Sequence, residues 1–516
     1  MTKQTFLKGT LILIMAGMIT RFLGFVNRLV VARLMGEEGV GLYMMALPTL
    51  FLAMTITQLG LPVAIAKRVA EAEAKGNSAK VKQILVLSLL ITGAASIILT
   101  AATIIMAPWI GANLYTDKRV VLPLITIAPI IPIVAIASVL KGYFQGKQNM
   151  KPQSYALVIE QIIRISCVAL FIKLLLPFGI EYAASGAMIS VVLGEFASLM
   201  YMLLLFKRKK TFKLRARFFS YLKTGNQTLK ELFSIALPST GSRMIGSISH
   251  FLEPILVAQA LAIAGVATVA ATKQYGELTG YVVPLLFLPT FITNSLSIAI
   301  VPAISESEAN QNRKFVHHRI HQAIRISLAS GALATVLLSL FAVPILQYMY
   351  GTANAAPLLM LMAPFFLMYY IQSPLQSTLQ ALDLARPAMW NSLIGSGIKL
   401  VLLFGLASNP NFGILGAAMA MCVGVMLVTL LHLAALKRTI QFTLKKLDII
   451  KLGALIAITW SAGKMLIRFY GNNGSLLLLL VQLLCLTILY IILLFSLKII
   501  EREELQQIPV LKRWFK

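Results

Sequence analysis

Apolar runs of 18 residues or more recur along the whole length of this chain, each long enough to cross a hydrocarbon core of roughly 30 Å as a helix. Backbone in lipid has to satisfy its own polar groups, which leaves helices and closed β-barrels as the only spanning structures. A barrel needs alternating segments of about ten residues, and these are absent. Composition agrees: 58% of the 516 residues are hydrophobic, 12% are charged and mean hydropathy is +0.84, values foreign to a water-soluble domain. The fold class is all-α, a polytopic membrane protein.

Spans are expected near 9–32, 40–66, 83–107, 120–141, 153–176 and 182–206, then 231–257, 279–303, 322–343, 355–379, 388–407 and 412–436, with a last pair near 448–468 and 475–498. That makes about fourteen transmembrane helices: a six-helix N-lobe (1–206), a basic linker (207–230), a six-helix C-lobe (231–436), and a C-terminal pair with a basic tail (437–516). The first apolar stretch reads as an uncleaved helix, since no small-residue cleavage site follows it and Arg21 interrupts it.

Charge placement tests the map, because Lys and Arg accumulate in cytoplasmic loops. With the N-terminus inside, alternate loops hold Lys67, Arg68, Lys75, Lys80 and Lys82, then Lys141, Lys147 and Lys151, then the run from Lys207 to Lys230. Arg313, Lys314 and Arg319 follow, then Lys437, Arg438, Lys445 and Lys446, and the tail with Arg502, Lys512, Arg513 and Lys516. Outer loops carry Glu37 and Glu38, with Lys118, Arg119 and Lys273 as exceptions to the rule. Both termini are expected in the cytoplasm of a multi-pass cell-membrane protein. The net charge of +28 then follows from topology and attraction to anionic lipids; split among short loops, it is not a nucleic-acid signature.

Little points to catalysis or cofactors. Cys167, Cys422 and Cys485 sit singly inside different spans and read as small apolar residues. Gly142 to Lys147 fails as a phosphate loop on glycine spacing, and Gln148 stands where Ser or Thr is required. His317, His318 and His321, near Glu306 and Glu308, read as a solvated loop face rather than a metal site. No catalytic residue, metal or cofactor is expected.

An internal repeat carries more information. At a shift of 235 residues, Glu71-Ala72-Glu73-Ala74 matches Glu306-Ser307-Glu308-Ala309, Ala128-Pro129 matches Ala363-Pro364, Lys151-Pro152 matches Arg386-Pro387, and Arg164 matches Lys399. At a shift of 230, Gly186-Ala187 matches Gly416-Ala417 and Lys207-Arg208 matches Lys437-Arg438. Two copies with an even number of spans share one orientation, a transporter architecture with substrate bound between the copies.

The first helices of the copies carry cations at matched spacing: Arg21, Gly24 and Arg28 against Arg243, Gly246 and His250. Residues seven apart share a helix face. Arg21, Arg243, Arg164 and Lys399 all fall near mid-span, where each costs roughly 2.5 to 3.5 kcal/mol unless it meets water, a partner or an anion. A basic cavity for an anionic substrate removes most of that cost. Against this, Arg28 lies near the outer helix end and is able to snorkel. Arg164 follows Glu160 by four residues and is able to neutralise itself, and Glu195 or Glu253 offers Arg21 and Arg243 a counter-charge or a coupling role. Pro123, Pro129, Pro132, Pro284, Pro289, Pro364 and Pro374 lie inside spans, as bending points or fixed kinks.

The stretch Thr20-Arg21-Phe22-Leu23-Gly24-Phe25, through Val31-Ala32-Arg33 and Gly36, resembles the first helix of the polysaccharide and lipid II flippases of the multidrug/oligosaccharidyl-lipid/polysaccharide (MOP) exporter superfamily, and the resemblance covers essentially the full chain. It implies a flippase that moves an undecaprenyl-pyrophosphate-linked glycan, a lipid II-like peptidoglycan precursor, across the membrane by alternating access, in service of the spore cortex. It also implies cell-wall synthesis enzymes as protein partners. Arg21 matches a cavity arginine of that family. The family's next cavity arginine falls at Asn27, with Arg28 one position and about 100° further round the helix. Two other readings stand beside this one. A multidrug exporter of the same superfamily calls for acidic and aromatic cavity residues where this chain is mainly basic, and a non-transporting scaffold for cell-wall enzymes would share the span pattern.

Overall fold

In a computed structural model the described residues are 6–209, 225–471 and 475–499, and every regular element among them is a helix. They form two compact units, Met1–Gly280 and Tyr281–Lys516. The first holds α1 (Phe6–Gln58), α2 (Leu61–Ala74), α3 (Ser78–Trp109), α4 (Val121–Ile127), α5 (Ile130–Gly146), α6 (Lys151–Leu175), α7 (Ile180–Lys209), α8 (Asn226–Ile263) and α9 (Thr268–Gly276). The second holds α10 (Val283–Leu286), α11 (Thr290–Ala309), α12 (Arg313–Leu340), α13 (Ala342–Tyr350), α14 (Ala356–Ala381), α15 (Ala385–Ala407), α16 (Gly413–Ile440), α17 (Lys446–Tyr470) and α18 (Leu476–Ser496). Most of the basic linker, 210–224, and the tail cations from Arg502 onward lie outside the described residues.

Among the described residues twelve stretches are long and apolar enough to span, and a thirteenth appears when the broken pair Thr268–Leu286 and Thr290–Glu308 is taken as one. The first, Met15–Ala74, runs 60 residues, about 90 Å of helix and far more than one crossing needs. It contains Gly36 at φ 65°, ψ −172°, a conformation open in practice only to glycine. Counted as two spans there, it brings the total to the fourteen expected. The second span is itself broken, because Leu59 and Gly60 both take positive φ between α1 and α2.

Proline acts as anticipated at some sites. Pro129 caps α5 directly after the α4 break, while Pro364 and Pro374 are absorbed inside α14. The cysteines follow their helix faces: Cys422 is buried, Cys167 half-buried and Cys485 exposed. The histidines depart from expectation. His317, His318 and His321 occupy the first turns of α12 rather than a solvated loop. The His317 ring Nε2 lies 2.9 Å from the Ile440 carbonyl, and His321 packs against Phe442 with ring centroids 4.6 Å apart.

The duplication is physical. In the first unit Ile65, Val69, Val81, Leu85, Leu140 and Phe144 are buried in one cluster; 235 residues on, Ile300, Ile304, Val316, Ile320, Leu375 and Leu379 are buried together in the second. Asn77 and Asn312 cap α3 and α12 through their side chains. Gln148 and Asp383 take the same left-handed turn, at φ 55° and 59°.

Candidate substrate-binding site

Helix α6 is the hub of the polar groups. The Arg164 guanidinium donates to Glu160 at 2.6 Å across one turn, and the Gln161 amide donates to the same carboxylate at 3.3 Å. Helix α7 packs here through Gly194, where a Cβ would stand 2.8 Å from the Glu160 carbonyl oxygen and 3.3 Å from the Arg164 Cβ. The next residue, Glu195, turns its buried carboxyl onto that of Glu160 and keeps one oxygen without a partner. The intrahelical pairing of Arg164 is therefore real, and Glu195 is spent on Glu160 rather than on Arg21.

Helix α1 meets α6 at Gly24, whose Cβ position would lie 3.9 Å from the Gln161 Oε1. Nearly one turn on, Asn27 is 5% exposed and its Oδ1 finds no partner among the described residues. The position that holds a cavity arginine in the resembling family is here a buried amide facing protein. Arg28, the next residue, is exposed, and its charge and that of Arg164 both reach the buried Tyr43.

Arg21 and Arg243 are both exposed, on α1 and α8 of the same unit, and neither has a hydrogen bond or ion pair among the described residues. Around Arg243, positions 241 and 246 are glycines whose missing side chains would meet nothing within 4 Å. Helix α8 is tied to α1 by Thr55 and Ser247, oxygens 2.7 Å apart, one turn beyond Arg243. His250 shares this helix but is already engaged in an interaction, and so is the buried Glu253, whose charge reaches Tyr275. Glu195, turned onto Glu160, is not the counter-charge of the two arginines.

Lys399 stands in the second unit where Arg164 stands in the first. Gly424 packs on it as Gly194 packs on Arg164, with a Cβ position 2.9 Å from the Lys399 Cβ. Gly416 likewise meets the Leu406 carbonyl at 2.6 Å as Gly186 meets that of Phe171 at 2.7 Å. The acids are not repeated: Gly395 and Val425 occupy the places of Glu160 and Glu195.

A second polar constellation went unread in the sequence. In the first unit Arg119 donates to Asp117 at 2.8 Å and also binds Glu38, with Lys273 3.7 Å from the same Glu38. The Thr272 hydroxyl donates to Asp117 at 2.8 Å. Burial pushes the Asp117 carboxyl up, but the bonds from Arg119 and Thr272 outweigh it and hold the group below its usual range. Two of the three cations that broke the expected charge rule, Arg119 and Lys273, are thus neutralised in place. Their misfit in that rule was the available signal.

With this geometry in view, comparison with known proteins is decisive. The profile of the polysaccharide biosynthesis protein family matches residues 6–308, and that of MatE matches 254–404. Stage V sporulation protein B of Bacillus subtilis (strain 168) is 53% identical over 514 residues, 99% of each chain. The chain belongs to the polysaccharide biosynthesis protein family. Lipid II flippase MurJ of the same organism is 26% identical over 460 residues, 85% of this chain and 84% of the relative. Among solved structures, lipid II flippase MurJ in an inward closed conformation superposes with a TM-score of 0.68 at 15% identity, covering 93% of this chain and 97% of that one. An inward-facing MATE family transporter of the MOP superfamily gives 0.65 at 16%, covering 82% and 94%. As a polysaccharide biosynthesis family protein of MOP type, the chain is a transporter and not an enzyme.

Proposed function

We propose that the chain flips an undecaprenyl-pyrophosphate-linked glycan of the lipid II class across the cell membrane by alternating access, and that its product feeds spore cortex peptidoglycan. The observation that carries the reading is the pair Arg21 and Arg243: two exposed cations on α1 and α8 of one unit, with no partner among the described residues. A pyrophosphate supplies the missing counter-charge, while its polyprenyl tail stays in lipid. Arginine suits this task because its planar fork grips phosphate oxygens bidentately. Arg28 and His250 extend the basic surface, and Lys399 serves in the second copy. Arg164 takes part with its charge already offset by Glu160, and Glu195, with its free oxygen, is the group we assign to coupling.

Similarity supports the same substrate class, since the relatives include a sporulation protein and a lipid II flippase. The test is lipid II binding and flipping in vesicles by Arg21→Ala, Arg243→Ala and the double variant, at matched protein levels. Each single change should weaken binding about ten- to a hundred-fold, the loss of one charge-assisted contact, and the double change should cost more than either. Lysine at either position should restore activity only in part. Wild-type flipping by the double variant would overturn the assignment.

A further inference from the structure

We propose that the contact between Gly41 on α1 and Gly276 on α9 is a gate across one end of the substrate pathway, latched by the ties that Glu38 and Asp117 make to α9. A gate presupposes the alternating-access cycle proposed above. Duplication gives the contact its meaning. Gly41 and Gly276 stand 235 residues apart, as do Glu37 and Thr272, and Glu38 and Lys273. A Cβ on Gly41 would overlap the Thr272 carbonyl, and one on Gly276 would overlap the Glu37 carbonyl and stand 2.7 Å from the Gly41 nitrogen. Each copy thus presents the same surface to the other, the mark of a contact on a two-fold axis. Glu38 lies 3.7 Å from Lys273, its own repeat partner, as only residues beside such an axis do.

Substrate in a duplicated transporter passes between the copies, along that axis. Backbone pressed on backbone at Gly41 and Gly276 leaves no passage for a glycan, so the contact has to part in each cycle. Both partners are jointed for this. Gly36, with φ 65° and ψ −172°, lies five residues before Gly41, and a π-helical stretch, Glu277–Val282, starts directly after Gly276. Helices change direction at such places. Side chains then fasten α9 to the rest of the first unit. In an exact two-fold contact an acid would meet its own copy and be repelled; Lys273 opposite Glu38 turns that repulsion into a tie. The Thr272 hydroxyl donates to Asp117 at 2.8 Å, and Arg119 holds Asp117 and Glu38 together. Glu38 and Lys273 are both partly exposed, so water replaces their ion pair at little cost when the contact parts.

The test uses the full-length chain in vesicles, with Cys167, Cys422 and Cys485 replaced by alanine. A Cβ on Gly280 would stand 3.5 Å from the Val40 Cβ, inside the range of a disulfide, so Val40→Cys with Gly280→Cys should cross-link α1 to the chain after α9 on oxidation. A third change, Gly246→Cys on α8, reports access to the pathway through its reaction with a membrane-impermeant maleimide added to either side. With the pair reduced, that thiol should react from both sides. With the pair oxidised, labelling from one side should be lost, and flipping of fluorescent lipid II should stop and return with reductant. In the absence of the pair, Thr272→Val should raise labelling from the gated side about tenfold, the loss of one hydrogen bond to a charged group, and Lys273→Gln about twofold. Two-sided labelling or continued flipping by the cross-linked protein would overturn the gate, as would failure of the pair to cross-link or unchanged labelling in Thr272→Val and Lys273→Gln. One-sided labelling that returns to two-sided on reduction, in a protein that flips no lipid II, would support the gate and count against the lipid II reading alone.

Discussion

Charged side chains inside this molecule sort by what neutralises them. Glu160 and Arg164 answer one another, whereas Arg21 and Arg243 have no partner among the described residues and, in the function we propose, are answered by the substrate. That difference was half legible in the sequence. A cation in the middle of an apolar run announces itself, and an acid four residues before an arginine announces a pair. The Asp117 network could not be read, because Thr272 donates from 155 positions away and nothing local distinguishes Asp117 from any loop acid. Its chemistry gives a residue-scale prediction. The folded carboxyl titrates below its ordinary value, so the stability it lends is complete above the unfolded pKa of about 3.9 and is lost as pH falls through the lowered folded pKa. Melting of the purified protein should therefore be insensitive to this group between pH 7 and about pH 5 and should decline below pH 4. Asp117→Asn should lower the melting temperature at neutral pH and flatten the acid limb. An acid limb unchanged in the variant would show that other carboxylates dominate it.

Elements were easier to foresee than their interruptions. Apolar length gave the spans, but the left-handed turn at Leu59 and Gly60, and the π-helical stretch from Glu277 to Val282, depend on packing that hydropathy does not encode. Helices α1 and α9 of the first unit approach closely at two glycines. A Cβ on Gly41 would overlap the Thr272 carbonyl, and one on Gly276 would overlap the Glu37 carbonyl. Backbone touches backbone there, beside the Arg119 network. Replacing either glycine by alanine should cost about 1 to 3 kcal/mol through overpacking, read as a lowered melting temperature. Gly246→Ala, which meets nothing within 4 Å, is the control and should leave the melt unchanged or slightly raised, because alanine favours helix over glycine. Helix propensity alone would raise the melt at all three positions, so a loss at Gly246 as large as at the other two would show that the close approach does not set the effect.

At the scale of the whole chain, we propose from the charge asymmetry that both termini and the 207–230 linker face the cytoplasm. Single cysteines at Asn226 and Ser475 should then label from opposite sides of the membrane; labelling from one side would require a different span count. The duplication was legible as short matches at two shifts, and the folded chain extends it to buried residues too varied to align by eye, such as Phe144 with Leu379. It also holds a comparison that no one had to engineer. Helices α15 and α16 dock through Gly416 and Gly424 as α6 and α7 dock through Gly186 and Gly194, although the second copy has no carboxylate at either matching position. Read as mutagenesis, the second copy is the first with both acids deleted, and the helix pair still assembles. Holding that pair together is therefore not what Glu160 and Glu195 are for, so neutral variants at those sites are expected to fold and to report on transport alone.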